Sequence, residues 1–528
     1  SYKKAEEFVG KLNLTEKISL LYGTENYFST NDIEKKRKLC EGHIHPFKNE
    51  NINFKGLCLL DGTSGVRWAR GTAISWQSGI NSAATFNREL IYQVGKAQGK
   101  EFKMKGVNQC LSPCVNLIRT PQAGRIWEAF GEDPYLSGTV VEQFIKGIQE
   151  EGVIATVKHF ILNEQETYRH ASSSIVNKEA LMDVYAEPFY RAIKAGVGSV
   201  MVSYNAFNGT YCTESKFLLT EVLRDILKFQ GYTISDWWAV YSNHTQSFTS
   251  GLDVNMPGSI TEDARYQGRN YSHWTGFEKL VIDKKLNENR VNEAATRIIA
   301  TMYKLNQMEN YPEIDLYKEA KTEDNIKLQR QAATESQVLL KNDGILPLKK
   351  NIKKIAVIGN AAFPRDCLNE YGDLQCKNKT NEVVNGHIHV GYGSGSTDFN
   401  YTIAPIEGIT NIANERKIDI IASGNLNYTK EDRNGTQVNT KAKEDIPSGV
   451  KAAKEADIAI VFVKAISGEE YIVVEETIGD RLNLKLMHNG DDLIESVIAA
   501  NNNTIVVINA PGVVDMPWMD KARAIVFS

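Results

Sequence analysis

Over its first three hundred residues the chain alternates short apolar runs with longer amphipathic ones, and this rhythm constrains the fold more than any other feature. Strand-like runs occur at Gly56–Leu60, Val107–Leu111, Ile154–Lys158, Ser199–Ser203 and Tyr232–Ser235. Helix-like runs lie between them, at Arg88–Lys105, Tyr135–Glu151, Lys178–Ala195 and Lys216–Leu227. Such alternation predicts an α/β fold with a (β/α)8 TIM-barrel-like N-terminal domain. A polar residue follows each strand: Asp61, Ser112, Lys158-His159, Tyr204-Asn205 and Asp236. In a barrel the strand ends ring one mouth, so these groups are expected to converge.

The chain has 528 residues, too many for one hydrophobic core. Residues 1–305 are assigned to the barrel. Residues 306–330, polar and interrupted by Pro312, read as a linker, with a helix expected over Asp324–Leu340. Residues 331–528 carry the apolar runs Lys354–Ile358, Ile418–Ile421, Ile458–Val463, Thr504–Ile508 and Ala524–Phe527. They predict a mostly parallel sheet covered on both faces, an α/β sandwich domain. The chain opens on Ser1 without a Met and ends on a strand at Ser528, which reads as a trimmed product or fragment.

Composition is that of a globular protein, with 42% hydrophobic residues and a net charge of −4. Neither a basic stripe nor a membrane-length apolar run is present, so no nucleic-acid or membrane partner is expected. The run Glu34–Lys38 reads as a solvated face. Nine Asn-x-Ser/Thr sequons occur, at Asn13, Asn208, Asn243, Asn270, Asn378, Asn400, Asn427, Asn434 and Asn502. Of seven cysteines, Cys40 with Cys58 and Cys367 with Cys376 form local bondable pairs, whereas Cys110 and Cys114 read as buried thiols. Together these features point to a secreted, extracellular protein.

Several motifs are set aside on their chemistry. Gly391-Tyr392-Gly393-Ser394-Gly395-Ser396 lacks the Gly-Lys-Ser/Thr of a phosphate cradle and reads as a flexible turn. Ile358-Gly359-Asn360 follows a strand without the dinucleotide glycines. Cys40–His45 has no second zinc half-site and reads as a disulfide-bonded loop carrying surface histidines; no metal or cofactor is expected. No Gly-x-Ser-x-Gly elbow is present. Thr233-Ile234-Ser235-Asp236-Trp237-Trp238 is richer. A carboxylate at a strand end beside an indole suits attack on an anomeric carbon, since pyranose faces stack on aromatic rings. A helix-capping Asp fits that hexapeptide equally well. Lys158-His159 could bind sugar hydroxyls, and with Asp61, Arg125 and Tyr204 it favours the functional reading.

At these residues the chain resembles the family 3 glycoside hydrolases, and within them the fungal-type β-glucosidases. The resemblance runs through Leu57–Gly62, Gly65-Val66-Arg67, Gly124–Glu128, Glu132–Tyr135, Lys158-His159-Phe160, Asn163–Glu166, Ser203-Tyr204-Asn205, Ser235-Asp236-Trp237, Leu252-Asp253 and Met256-Pro257-Gly258. In the second half it includes Leu339–Asn342, Ser467-Gly468-Glu469, Gly479-Asp480-Arg481 and His488–Asp491. It implies a site between the two domains, with a further fibronectin-III-like domain beyond Ser528. It implies Asp236 as nucleophile and Glu469 as general acid/base. It also implies Asp61, Arg67, Arg125, Lys158, His159, Met201 and Tyr204 as sugar ligands, Trp237 as stacking platform and Tyr471 in the next subsite. The pairs Cys40–Cys58 and Cys367–Cys376 look like disulfides of the fungal members.

The resemblance implies a retaining, exo-acting β-glucosidase that takes cellobiose, cello-oligosaccharides and related β-glucosides by double displacement, its two carboxyls about 5–5.5 Å apart. β-Xylosidase or an inactive carbohydrate-binding component are the alternatives. An N-acetylglucosaminidase fits poorly, because Ile161-Leu162 follows Phe160 where that branch has Pro-Gly. Asp236 is expected to be held low by Lys158 or Arg125, and Glu469 to be raised. Some residues depart from the family pattern: Thr63-Ser64, Trp238 and Val202, which leaves Cys212 unmated, and Glu470, whose charge beside Glu469 would push the acid upward.

Overall fold

The computed structural model describes residues 1–24, 29–241, 244–258, 274–364, 386–427, 442–474 and 477–528; two short strand pairs, 265–266 with 269–270 and 367–368 with 375–376, are described by their backbone alone. Its first unit is built on six strands: β1 (Gly42–Ile44), β2 (Leu57–Asp61), β3 (Gln109–Leu111), β4 (Ile154–Phe160), β5 (Ser199–Val202) and β6 (Tyr232–Ser235). They pair in that order. All run parallel except β1, which is antiparallel to β2 with Gly42 opposite Leu59. Every residue of these strands is buried, as expected of a sheet covered on both faces.

Two further staves close the sheet on itself. Val254 bridges Ile234 of β6, and Asn255 bridges Tyr22. Gly23 N–H then donates to Asn255 O (3.1 Å) and Thr24 N–H to His43 O of β1 (2.9 Å). The barrel therefore has eight members but not eight strand–helix repeats. Between β1 and β2 the chain turns back through a short ladder, Phe47–Lys48 with Asn53–Phe54, instead of a helix. That hairpin lacks a 3.6-residue apolar repeat, and the Cys40–Cys58 disulfide staples its base. The segment read as a loop with surface histidines thus holds a strand: His43 is buried inside it, while His45 is exposed.

Outside the staves pack helices α1 (Arg88–Met104), α2 (Pro134–Glu150), α3 (Glu187–Lys194) and α4 (Glu288–Lys304). Each of the longer ones begins where the sequence supplies a cap. Asn87 accepts from Leu90 N–H, Asp133 from Tyr135 and Leu136 N–H ahead of Pro134 at the first turn, and Asn287 from Asn289 N–H. Residues 306–322 lie against this unit. Leu316 is fully buried, and Arg37 makes a bidentate pair with Asp315 at 2.5 and 2.7 Å. Helix α5 (Glu323–Glu335) follows, and the expected continuation to Leu340 becomes a strand, β7 (Val338–Asn342). Of the Glu34–Lys38 run, Lys36 is buried, not solvated.

The second unit adds β8 (Lys354–Ile358), β9 (Asp419–Ser423), β10 (Ile458–Lys464), β11 (Thr504–Asn509) and β12 (Ala524–Phe527), paired in the order β7-β12-β11-β10-β8-β9. Only the β7–β12 pair is antiparallel. The two-residue period of the strands splits the apolar side chains between two faces. Ile355, Val357, Ile458, Ile460 and Phe462 enter one core, with Ile406 and Ile409 of helix α6 (Pro405–Arg416) against it. Ala356, Ile358, Ala459, Val461 and Val463 enter the other, under α7 (Ile446–Lys454) and α8 (Gly490–Ala500). No helix among the described residues is long and apolar enough to cross a membrane.

Candidate active site

Asp236 emerges one residue past β6, where its own N–H donates to Val202 O of β5 (3.0 Å). Its Oδ1 accepts from Trp237 N–H at 2.7 Å. Its Oδ2 is buried and has no hydrogen-bond partner. A buried carboxylate oxygen without a hydrogen-bond partner is costly and calls for an explanation. It faces a cavity of ≈ 250 Å³ at the mouth of the barrel.

All eleven residues nominated from the sequence line this one cavity: Asp236, Glu469, Asp61, Arg67, Arg125, Lys158, His159, Met201, Tyr204, Trp237 and Tyr471. They come from the ends of β2, β4, β5 and β6, from loops of the first unit, and from the second unit for Glu469 and Tyr471. Glu41, Arg169, Trp238 and Ser394 complete the lining and were not foreseen.

At one end, Asp61 receives Lys158 Nζ on Oδ1 (2.9 Å) and Arg67 Nη1 on Oδ2 (3.2 Å). Burial pushes this carboxyl up, but the two cations overrule it and hold it below the usual range. Lys158, buried yet paired with Asp61, stays charged. Glu41 accepts from Arg67 Nη1 at 2.8 Å, and its backbone carbonyl accepts from Trp237 Nε1 at 3.3 Å. Burial drives Glu41 well above the carboxylate range, Arg67 offsets only part of that, and Asp61 adds to the rise.

His159 is oriented but not charged, because burial and then Arg125, Lys158 and Arg169 push its pKa far down. Its Nδ1 meets Asn116 Oδ1 at 3.0 Å, and its Nε2 meets Arg125 Nη1 at 3.0 Å. A neutral ring that donates through Nδ1 and accepts at Nε2 satisfies both contacts. Nε2 also stands 3.6 Å from Asp236 Oδ2. Arg125 is fixed by a bidentate contact with Glu128, at 2.6 and 3.0 Å.

Glu469 enters from the other unit. Oε1 accepts from Arg169 Nη1 at 2.8 Å and lies 3.5 Å from Arg125 Nη1, while Oε2 accepts from Ser394 N–H at 2.7 Å. Gly393 packs so closely that a Cβ there would stand 2.7 Å from the Glu469 Cβ. The glycine run read as a flexible turn is therefore a packed loop that seats a carboxylate. Burial favours protonated Glu469, but Arg125 and Arg169 outweigh it and hold the group well below the normal range. Asp236 goes the other way: burial raises it, and Arg169 and Arg125 recover only part of the shift. Both directions are the reverse of those expected from the sequence. Of the two cations named there, Arg125 stands beside Glu469 with Arg169, whereas Lys158 is taken up by Asp61.

Glu470 does not crowd Glu469 as its sequence position suggested. Its carboxylate turns away to Arg169 Nε (3.2 Å) and His170 Nε2 (3.1 Å), and it is buried there. Arg169, whose guanidinium lies 4.2 Å over the Tyr204 ring, is thus shared among Glu166, Glu469 and Glu470. The only sequence signal for Arg169 was its place shortly after Lys158-His159; for Ser394 it was the glycine run itself.

Cys40–Cys58 is bonded, and Cys110, Cys114 and Cys212 are buried free thiols. The side chains of Cys367 and Cys376 lie outside the described residues, though their backbones are direct partners in a short ladder. Among the described residues no cluster of three or more His, Cys, Asp or Glu could hold a metal ion.

The chain resembles proteins already known. The glycosyl hydrolase family 3 N-terminal domain matches residues 9–301, and the glycosyl hydrolase family 3 C-terminal domain matches residues 337–528. A probable β-glucosidase L of Aspergillus fumigatus is 36% identical over 521 residues, covering 97% of this chain and 65% of that protein. A probable β-glucosidase L of Aspergillus terreus is 38% identical over 522 residues, with the same coverage of 97% and 65%. The chain thus spans about 65% of the length of these curated relatives. Among solved structures, the β-D-glucoside glucohydrolase of Trichoderma reesei superposes with a TM-score of 0.86 at 34% identity, over 99% of this chain and 69% of that one. β-Glucosidase 3B of Thermotoga neapolitana in complex with glucose superposes with a TM-score of 0.80 at 27% identity, over 99% and 71%.

Proposed function

The chain belongs to glycosyl hydrolase family 3, and from that premise we propose that it is a retaining, exo-acting β-glucosidase. Its substrates are terminal non-reducing β-D-glucosyl residues of cellobiose, cello-oligosaccharides and related β-glucosides. The observation that carries this reading is the unpartnered Asp236 Oδ2 facing a cavity that Glu469 enters from the opposite unit. Asp236 attacks the anomeric carbon through Oδ2 while Oδ1 stays anchored on Trp237 N–H. Glu469 gives its proton to the leaving oxygen. In the second step it takes a proton from the water that releases the sugar. Asp61, Arg67, Lys158, His159, Arg125 and Tyr204 hold the sugar's hydroxyls, and Trp237 stacks on its apolar face.

The two steps ask opposite things of Glu469: a proton in the first, none in the second. Arg125 and Arg169 favour the second state, whereas burial favours a proton on Asp236. The arrangement the first step needs, ionised Asp236 with protonated Glu469, is thus the one-proton form that these surroundings work against. We place the protein on the secretory route. The Cys40–Cys58 disulfide and the exposed sequon asparagines Asn13, Asn208, Asn400, Asn427 and Asn502 support that reading.

Asp236→Ala is expected to lower kcat on an aryl β-glucoside by several orders of magnitude. A fluoroglucoside trap on the unaltered chain is expected to label Asp236, as read by peptide mass. A variant retaining near-normal turnover removes the assignment. An aryl β-xyloside hydrolysed faster than the glucoside replaces glucosidase with xylosidase, and sugar binding with neither a covalent label nor turnover indicates a binding component.

A further inference from the structure

Trp238 adopts a backbone conformation that its side chain does not favour. Its φ is +63°, in the left-handed region where Cβ crowds the carbonyl and where glycine or asparagine is usual. Bulky residues persist there when the surroundings hold them, and such places cluster at ligand clamps. The turn has a geometric result. Successive residues of an extended chain point to opposite faces. Here Ala239 N–H closes back on Asp236 O (3.1 Å), Trp238 N–H donates to Met256 O (2.9 Å), and Asp236, Trp237 and Trp238 all line the same cavity.

Exposure orders that cavity. Lys158, His159 and Asp61 are buried and form its closed end, whereas Tyr471 is 46% exposed and Trp238 is half-buried, which marks the mouth. A terminal sugar entering a one-ended well leaves its aglycone at the mouth. Resting on the glucosidase reading above, we propose that Trp238 is a specificity-determining residue. With Tyr471 it forms an apolar wall against the leaving group, which favours aglycones presenting a flat face, an aryl ring or a second pyranose, over short alkyl groups.

The test compares kcat/KM of the unaltered chain with Trp238→Gly, Trp238→Asn and Trp238→Phe on p-nitrophenyl β-glucoside, cellobiose and methyl β-glucoside. Glycine and asparagine both tolerate the left-handed backbone, so either can carry the result if the other fails to fold. Both are expected to lower the aryl-to-methyl and cellobiose-to-methyl ratios about tenfold, mainly through KM. Phenylalanine is expected to restore most of the ratio, and thermal melts to report folding separately. Equal losses on all three substrates, or an unchanged ratio, overturn the proposal while leaving the glucosidase reading intact. An unaltered chain inert on all three removes both.

Discussion

What a carboxylate does in a buried well depends on which cations reach it. Asp61 has Lys158 and Arg67, Glu469 has Arg125 and Arg169, and Asp236 is left with an unpartnered oxygen. Glu470 bears on that balance at one remove, because its negative charge draws on Arg169. Glu470→Gln leaves more of the arginine's charge on Glu469 and lowers its pKa further. The acidic limb of kcat/KM is therefore expected to move to lower pH, by about one unit at most. The productive one-proton form becomes rarer by the same factor, so the maximum falls in step with the limb. A fall without a limb shift means that Glu470 serves only packing. At this scale the sequence was readable where a residue type and a strand end coincide, as at Asp61, Lys158 and Asp236. It was opaque at Glu41, Arg169, Trp238 and Ser394. The roles of these four depend on a hairpin, a shared cation, a left-handed turn and a cross-unit approach, which no local spacing encodes.

Among the elements, the parallel staves were legible because each is a short apolar run ended by a polar residue, and β2, β4, β5 and β6 fall within a residue or two of their expected bounds. The hairpin bearing β1 was not, since its three residues have no period to detect. The first unit's helices are tied to its staves by one acid. Asp253 is fully buried, receives Arg224 (2.9 Å), Arg290 (2.8 Å) and Arg297 (2.9 Å), and also accepts from Thr233 N–H of β6 (3.0 Å). Burial pushes Asp253 up, but the three guanidiniums pull its folded pKa far below the unfolded value. A depressed folded pKa gives stability that is fully present above the unfolded value of about 3.9 and is lost as pH falls below it. Asp253→Asn is expected to cost about 3 kcal/mol at neutral pH. Chemical denaturation should find that cost shrinking as pH drops below about 4. A pH-independent penalty contradicts this account.

For the whole molecule, the seam between the two units decides whether the acids meet. Asp480 of the second unit accepts from three backbone donors of the first: Gly124 (2.7 Å), Glu166 (2.9 Å) and Thr167 (2.9 Å). Ser467 Oγ donates to Gly124 O at 2.6 Å, and Arg481 N–H to Gln122 O at 2.8 Å. Asp480→Ala strands three N–H groups and is expected to weaken docking by about 2–3 kcal/mol. Activity should then be lost at lower urea concentrations than the circular dichroism signal of either unit; coincident transitions argue against a separate docking step. Two α/β units could be read from the order of apolar runs. That they meet around a shared site was implied by the family resemblance alone; the contacts that join them fall largely on main-chain donors, which carry no residue signature.

Gly124 gives that docking an unusual character. A Cβ there would lie 2.0 Å from Gly468 O, one residue before Glu469. At this point main chain packs directly on main chain, with the Asp480 and Ser467 side chains pinning Gly124 on either side. Any side chain at this bare joint would wedge the halves apart just where Glu469 enters the cavity, so the spacing between Asp236 and Glu469 hangs on a missing methyl.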